Sequence, residues 1–154
     1  MEIAELLTPR SVIPHLRAST KRQVLQELAR RAAGPTGLPE RQIYEVLAER
    51  ERLGSTGIGR GVAIPHGKRP ELTRMHGLFA RLDRPIPFEA VDDQPVDLVF
   101  VLLAPEGAGA EHLKALARVS RLLRDPVICD KLRGSDKADA LYALLTDRAE
   151  IHPA

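Results

Sequence analysis

The residues best suited to chemistry lie together in mid-chain. The segment Gly54-Ser55-Thr56-Gly57-Ile58-Gly59-Arg60-Gly61-Val62-Ala63-Ile64-Pro65-His66-Gly67-Lys68 holds five glycines, two hydroxyl residues near its start, and one histidine set between proline and glycine. Glycine permits backbone conformations that a side chain forbids, and it lets a ligand approach the main chain closely. Proline fixes its own φ and biases the residue before it towards extended backbone. His66 has no bulky neighbour in sequence to pack beside it, so it reads as presented rather than buried.

Several chemistries can be tested on this segment. A dinucleotide fingerprint places glycines first, third and sixth in a strand-to-helix turn; Gly57 and Gly59 fit, but Val62 takes the third place and the segment follows a helix. A P-loop sets four residues between its glycine and Gly-Lys-Ser/Thr. Here Gly61 stands one residue too far from Gly67-Lys68, and Arg69 replaces the hydroxyl. A nucleophile elbow reads Gly-x-Ser-x-Gly, and Gly54-Ser55-Thr56-Gly57 has another spacing. Metal binding asks for several ligands at short spacing, whereas His15, His66, His76, His112 and His152 are scattered and Cys129 is the one cysteine. No metal and no nucleotide cofactor is expected. What remains is a histidine acting as a nucleophile, with neutral imidazole available near pH 7. A phosphoryl group is the natural cargo, and it needs donors around its charge. Backbone N–H groups of a glycine-rich turn can supply some; Ser55 and Thr56 either add hydroxyls or only shape the turn.

The elements that position these residues follow from periodicity. Val12 to Ala18 reads as a first strand, with Pro14 marking it as an edge. Thr20-Lys21-Arg22-Gln23 reads as a capping box ahead of Val24, Leu25, Leu28, Ala29 and Ala32 at helical spacing. Gly34-Pro35 and Gly37 are expected to break that helix. Pro39 suits the start of the next, whose buried stripe is Ile43, Val46 and Leu47 and which Gly54 ends. Val62-Ala63-Ile64 can pair in a sheet, and Met75 to Leu82 and Val96 to Leu103 read as strands. The run Val99-Phe100-Val101-Leu102-Leu103 is continuous rather than alternating, as in a strand covered on both faces. A helix beginning near Gly109 takes Leu113, Leu116, Val119, Leu122 and Leu123 as its apolar face, a short one runs from Asp125-Pro126 to Gly134, and Ser135 caps a last one. His112 falls in the first turn of the Gly109 helix; for Glu49-Arg50-Glu51-Arg52 a solvated helix end is the alternative to a site role of Arg50.

Composition bounds the rest. The 154 residues fit one domain, with no repeat and no shift of composition to mark a second. Helices alternating with buried strands imply an α/β domain, a mixed sheet flanked by helices, with its core at about residues 8–148. Aromatics make up 3% of the chain, too few for a base-stacking surface, and a net charge of +2 is too small to imply a nucleic-acid partner. The lone cysteine fits a reducing compartment, no apolar run approaches the ~20 residues of a membrane helix, and the opening residues lack a leader pattern. A cytoplasmic protein is expected.

The glycine-rich segment resembles the active-site motif of the enzyme IIA components of the bacterial phosphoenolpyruvate-dependent phosphotransferase system, in the mannitol/fructose/nitrogen-regulatory class. Gly54-Ser55-Thr56-Gly57-Ile58-Gly59 and Gly61-Val62-Ala63-Ile64-Pro65-His66-Gly67-Lys68 carry it, with Asp93-Gln94-Pro95-Val96-Asp97-Leu98 and Glu111-His112-Leu113 extending it over nearly the whole chain. Lys68 after His-Gly, the length, and no fused transporter or carrier domain make it look most like the nitrogen-regulatory member. Arg60 departs from the pattern, standing where a small or polar residue is common. The resemblance implies a phosphotransferase that works mainly as a regulatory phosphocarrier. It implies His66 as the phosphorylated residue, His112 as the second active-site histidine and Arg50 as the active-site arginine, with Ser55, Thr56 and Gly67 as loop contacts. A small histidine-containing phosphocarrier is the implied upstream partner and regulatory proteins the downstream ones; a sugar-specific enzyme IIA shares the chemistry with another acceptor. Such a carrier must dock around His66, and Leu53 and Ile58 are expected as apolar contacts with Arg60, Lys68 and Arg69 at the rim.

Overall fold

The continuous apolar run is the centre of the sheet. In the computed structural model, which describes residues 2–147, the strand Val96–Pro105 keeps every side chain from Leu98 to Ala104 out of solvent. In chain order the elements are α1 (Ile3–Leu6), a 3₁₀ turn (Pro9–Ser11), β1 (Val12–Leu16), α2 (Lys21–Thr36) and α3 (Glu40–Arg52). Then come β2 (Gly57–Gly59), β3 (Val62–Ala63), β4 (His66–Arg69), β5 (His76–Ile86), β6 (Val96–Pro105), α4 (Gly109–Leu123), α5 (Pro126–Arg133) and α6 (Ala138–Thr146).

The sheet runs β1-β5-β6-β3-β2, with β4 also paired to β6. β1–β5, β3–β6 and β4–β6 are parallel, while β5–β6 and β2–β3 are antiparallel. Val62 opposes Leu98, Ala63 opposes Val99 and His66 opposes Leu102, so β3 and β4 follow one register along β6. Ile64-Pro65 interrupts that line, because proline has no N–H to give to a ladder.

Alternation along β6 divides the core. Val99, Val101 and Leu103 pack with α2 and α3 through Val24, Leu28, Ile43 and Leu47. Leu98, Phe100, Leu102 and Ala104 pack with the other helices through Leu6, Val119, Leu132 and Leu141. The result is a mixed sheet between two helical layers, as the sequence implies. β1, bonded to β5 alone, is the edge that Pro14 predicts.

Some local expectations differ from the structure. α2 continues through Gly34-Pro35 and stops at Gly37, whose φ of +74° lets its N–H reach the Ala33 carbonyl. Pro35 lies in the last turn, where few backbone bonds remain to be lost. The Thr20 side chain accepts from the Gln23 N–H, but the Gln23 side chain reaches the Ser19 N–H instead of closing the box. Ser135 belongs to the exit of α5, its N–H held by the Leu132 carbonyl, and α6 starts later behind Lys137. Val46 and Leu113 leave the core: Val46 is half-buried and Leu113 is 69% exposed. Both lie on second helical stripes that border the site.

Candidate active site

His66 is the first residue of β4 rather than part of a loop. It is half-buried on a short strand bonded on one side to β6, with α3 beyond it. Gly67 explains how helix and strand meet: a Cβ there would sit 2.0 Å from Val46 Cγ1. Glycine is required at that position for this close approach, and Gly67 also lines the cleft described below.

The hairpin before it rests on the other glycines. Arg60 (φ +56°) and Gly61 (φ +82°) are the two turn residues between β2 and β3, the backbone of a type I′ turn. A Cβ on Gly61 would also meet Arg133 Nη2 at 2.5 Å. Arg60 faces away from the site, its N–H on Asp92 and its carbonyl accepting from Arg133.

The His66 imidazole has a defined tautomer. Nδ1 lies 2.9 Å from the Ile64 carbonyl oxygen. A carbonyl only accepts, so Nδ1 carries the proton and Nε2 keeps its lone pair. Arg50 donates to that lone pair from Nε at 3.3 Å, while its Nη1 is held by the Gly54 carbonyl at 2.7 Å. Burial pushes the His66 pKa below the usual histidine value. The Ile64 carbonyl opposes this, the Arg50 charge adds to it, Glu51 opposes it and Lys68 adds to it. Near neutral pH the ring is uncharged and carries a free electron pair.

His112 completes the group. It is 4% exposed in the first turn of α4, and its ring meets that of His66 edge to face, with centroids 5.5 Å apart and planes at 80°. Its own N–H is taken by the Ala108 carbonyl at 2.8 Å, so any contact it makes comes from the ring. Among the described residues, His112 Nε2 is the one buried side-chain nitrogen or oxygen without a hydrogen-bond partner. Such a group ordinarily costs about 1–3 kcal/mol, which an incoming acceptor or donor would recover. Burial first, then the His66 and Lys68 neighbours, bring its pKa down to about 4.

These residues share a cleft of about 690 Å³ whose walls are α3 and α4 and whose floor is β4. α3 and the residue that caps its end contribute Val46, Arg50 and Leu53, and α4 contributes His112, Leu113 and Leu116. Lys68 and Arg69 also line the cleft. The arrangement presents one nucleophilic nitrogen, one fixed guanidinium and one unpartnered imidazole nitrogen, a set suited to receiving a tetrahedral dianion.

The four charged residues at the end of α3 divide rather than forming one solvated end. Glu49 and Arg52 pair at the surface, Arg50 turns to His66, and Glu51 is buried. The loop hydroxyls turn away from the cleft. Ser55 Oγ donates to the Phe88 carbonyl and accepts from the Gly57 N–H. Thr56 gives both its N–H and its hydroxyl to Glu51. Ile58 is partly buried against the core cluster that includes α4, and it does not line the cleft. So Ser55, Thr56, Ile58 and Arg60, expected at the site or its docking rim, lie apart from it.

The family profile described as "Phosphoenolpyruvate-dependent sugar phosphotransferase system, EIIA 2" matches residues 5–148. The chain belongs to that family. As an EIIA type-2 domain it is 61% identical over 145 residues to a nitrogen regulatory protein of Bradyrhizobium diazoefficiens, covering 94% of this chain and 95% of the relative. It is 36% identical over 146 residues to the fructose-specific EIIABC component of Bacillus subtilis, covering 94% of this chain and 23% of that protein. Its fold matches the crystal structure of the nitrogen regulatory protein IIA-Ntr from Neisseria meningitidis with a TM-score of 0.90 and 34% identity, over 94% of this chain and 99% of that one. Among the described residues of this EIIA domain, no helix is long and apolar enough to cross a membrane.

Three features of this EIIA site escape the sequence reading. Glu51 stands at helical spacing from Ile43 and Leu47, so the buried stripe of α3 itself points to it. Leu116 stands one turn from His112 and Leu113 one turn before Leu116, so both could be found once His112 is placed at the site. Val46 is marked by no sequence signal; only the missing Cβ of Gly67 identifies its contact.

Proposed function

We propose that this EIIA domain is a regulatory phosphocarrier that takes a phosphoryl group onto His66 Nε2 from the phosphohistidine of a small upstream carrier protein. The observation that carries this reading is the pair of contacts on the His66 ring, Nδ1–H to the Ile64 carbonyl and Arg50 Nε–H to Nε2. The first leaves Nε2 nucleophilic, and the second sets a cation where the incoming charge arrives.

The transfer is balanced without outside reagents. The Nε2 lone pair forms the new N–P bond as the P–N bond to the donor ring breaks, returning its electron pair to the donor nitrogen. Nδ1 keeps its proton on the Ile64 carbonyl, which supports the positive charge the ring gains. Arg50 follows the phosphoryl oxygens, and the orphan nitrogen of His112 gains a partner among them. Positioning and charge are all that the protein supplies.

The 61% identity to a nitrogen regulatory protein favours regulatory targets downstream, where the phosphorylation state is read. The fructose-specific relative supports the second reading, in which phosphate passes to a transporter domain. Incubation with phosphoenolpyruvate and the two upstream components, followed by intact-mass measurement, tests the proposal. A single phosphoryl adduct is expected, and a chain that stays unmodified is instead a non-phosphorylated binding module.

A further inference from the structure

Glu51 is a carboxylate on the buried stripe of α3, at the position where Ile43 and Leu47 lead one to expect another apolar side chain. Its side chain is 5% exposed. Replacing a buried charge with a well-packed apolar group is often neutral or stabilising, so a carboxylate retained there invites a reason beyond packing. Lys21 Nζ stands 3.8 Å from it, itself 3.2 Å from Glu89 and over the Phe88 ring, which compensates the charge.

The carboxylate grips one residue. The Thr56 N–H lies 2.8 and 3.0 Å from its two oxygens, and the Thr56 hydroxyl 2.7 and 3.1 Å. From Thr56 two short chains of bonds run to the His66 ring, one to each nitrogen. In one, the Thr56 carbonyl accepts from the Ile64 N–H at 3.0 Å, and the Ile64 carbonyl accepts from His66 Nδ1. In the other, Gly54, two residues before Thr56, offers the carbonyl that holds Arg50 Nη1, and Arg50 Nε reaches His66 Nε2. Gly54 in turn gives its N–H to the Glu51 main-chain carbonyl.

We infer that Glu51 is a positioning residue for the reaction at His66: by clamping Thr56 it sets both the Ile64 carbonyl that chooses the ring tautomer and the Gly54 carbonyl that aims Arg50. The inference rests on the proposed phosphoryl transfer for its consequence in rate, and on geometry alone for its consequence in tautomer. Glu51 touches neither His66 nor the incoming group. Both supports of the reacting nitrogen nonetheless pass through the five-residue span that it closes. A second-layer carboxylate of this kind does for a nucleophile what outer-layer partners do for metal-bound histidines, holding the ring in one orientation.

The test uses the full chain with three substitutions, Glu51→Gln, Thr56→Val and Thr56→Ser. Long-range ¹H–¹⁵N correlation on the unphosphorylated protein reads the His66 tautomer directly, with no transfer needed. Wild type is expected to show Nδ1–H with a bare Nε2. Glu51→Gln and Thr56→Val are expected to populate Nε2–H and to slow phosphoryl uptake by about tenfold, below the ~10² that an ångström-scale misplacement can cost. Thr56→Ser, which keeps the hydroxyl, is expected to restore both readings. Folding of each variant is checked by its circular dichroism melt. If Glu51→Gln does not fold, the Thr56→Val and Thr56→Ser pair decides alone. An unchanged tautomer with a rate within about twofold of wild type in the folded variants overturns the inference. A wild-type chain that takes no phosphate overturns the proposed function instead, and leaves the tautomer readings to judge Glu51.

Discussion

The Nδ1 atom of His66 lies 2.9 Å from the carbonyl oxygen of Ile64, two residues earlier in the chain. This contact is local in sequence, and it spans Ile64-Pro65, the link between β3 and β4 along β6. Because the carbonyl takes the Nδ1 proton, Nε2 is the nitrogen that can bond to phosphorus. The phosphorylated protein is therefore expected to carry its adduct on Nε2, labile in acid and stable in alkali, and His66→Ala is expected to abolish labelling. ³¹P and ¹⁵N spectra of the adduct check the assignment, and a phosphoryl group found on Nδ1 would contradict it.

His112 supplies the next expectation. Its pKa of about 4 reflects burial first, and then the repulsion that His66 and Lys68 exert on a protonated ring. A phosphoryl dianion on His66 reverses the local field, since an opposite charge within a few ångströms favours the protonated ring. The His112 pKa is expected to rise on phosphorylation, which ¹H–¹⁵N titration of both forms measures. Removing one preorganised donor costs ~10²–10³ in rate in an enclosed site, and this open cleft should sit at the lower end. A transfer rate for His112→Ala that stays within about twofold of wild type would take the ring out of the reaction.

The same shift makes stability depend on pH. The folded pKa of His112 is about 4 against an ordinary 6.5, and that of His66 is also lowered. Below about 6.5 the unfolded chain binds protons that the folded chain refuses, so stability falls as pH falls. The loss attributable to His112 accumulates between about pH 6.5 and about pH 4 and levels off below, where both states are protonated. Thermal melts across that range are expected to show a shallower slope for His112→Leu than for wild type. A slope that does not change places the pH dependence elsewhere.

Docking of the upstream carrier is expected on the cleft walls. Leu53, at the end of α3, is 80% and Leu113 of α4 69% exposed, and both line the cleft. Transient contacts of this kind often bury less than ~1,200 Å², so two central apolar side chains carry much of the binding. Leu53→Asp and Leu113→Asp are each expected to weaken carrier binding by about tenfold or more. Ile58→Asp should affect docking less and lower the melting temperature, because that side chain is partly buried against the core and does not line the cleft. Lys68→Ala is expected to act chiefly on the association rate and its salt dependence. NMR titration with the carrier reads the surface directly; shifts centred on α6 would place it elsewhere.

Short-range physics accounts for what could be read in the residues alone. The run Val99 to Leu103 identifies a strand covered on both faces because no solvated face could accept five consecutive apolar side chains. Thr20 and Asp125 mark helix starts because their oxygens reach N–H groups within three residues. The unusual Pro-His-Gly setting singles out His66, and the position of His112 in a first turn follows from Gly109.

The tertiary structure decided which of several equivalent local groups would be used. Glu49, Arg50, Glu51 and Arg52 are interchangeable as a helix end, and their fates are set by what packs against each side of α3: solvent, β4, or the Thr56 loop. Ser55 and Thr56 look like phosphate donors until Phe88 and Glu51 claim their hydroxyls, partners that sit 33 and 5 residues away in sequence. Leu113 fits the apolar period of α4 but is 69% exposed and lines the cleft instead of the core. Period and capping depend on a few neighbouring residues. The tautomer of His66, its meeting with His112 and the burial of Glu51 depend on distances between segments, which only chain closure fixes.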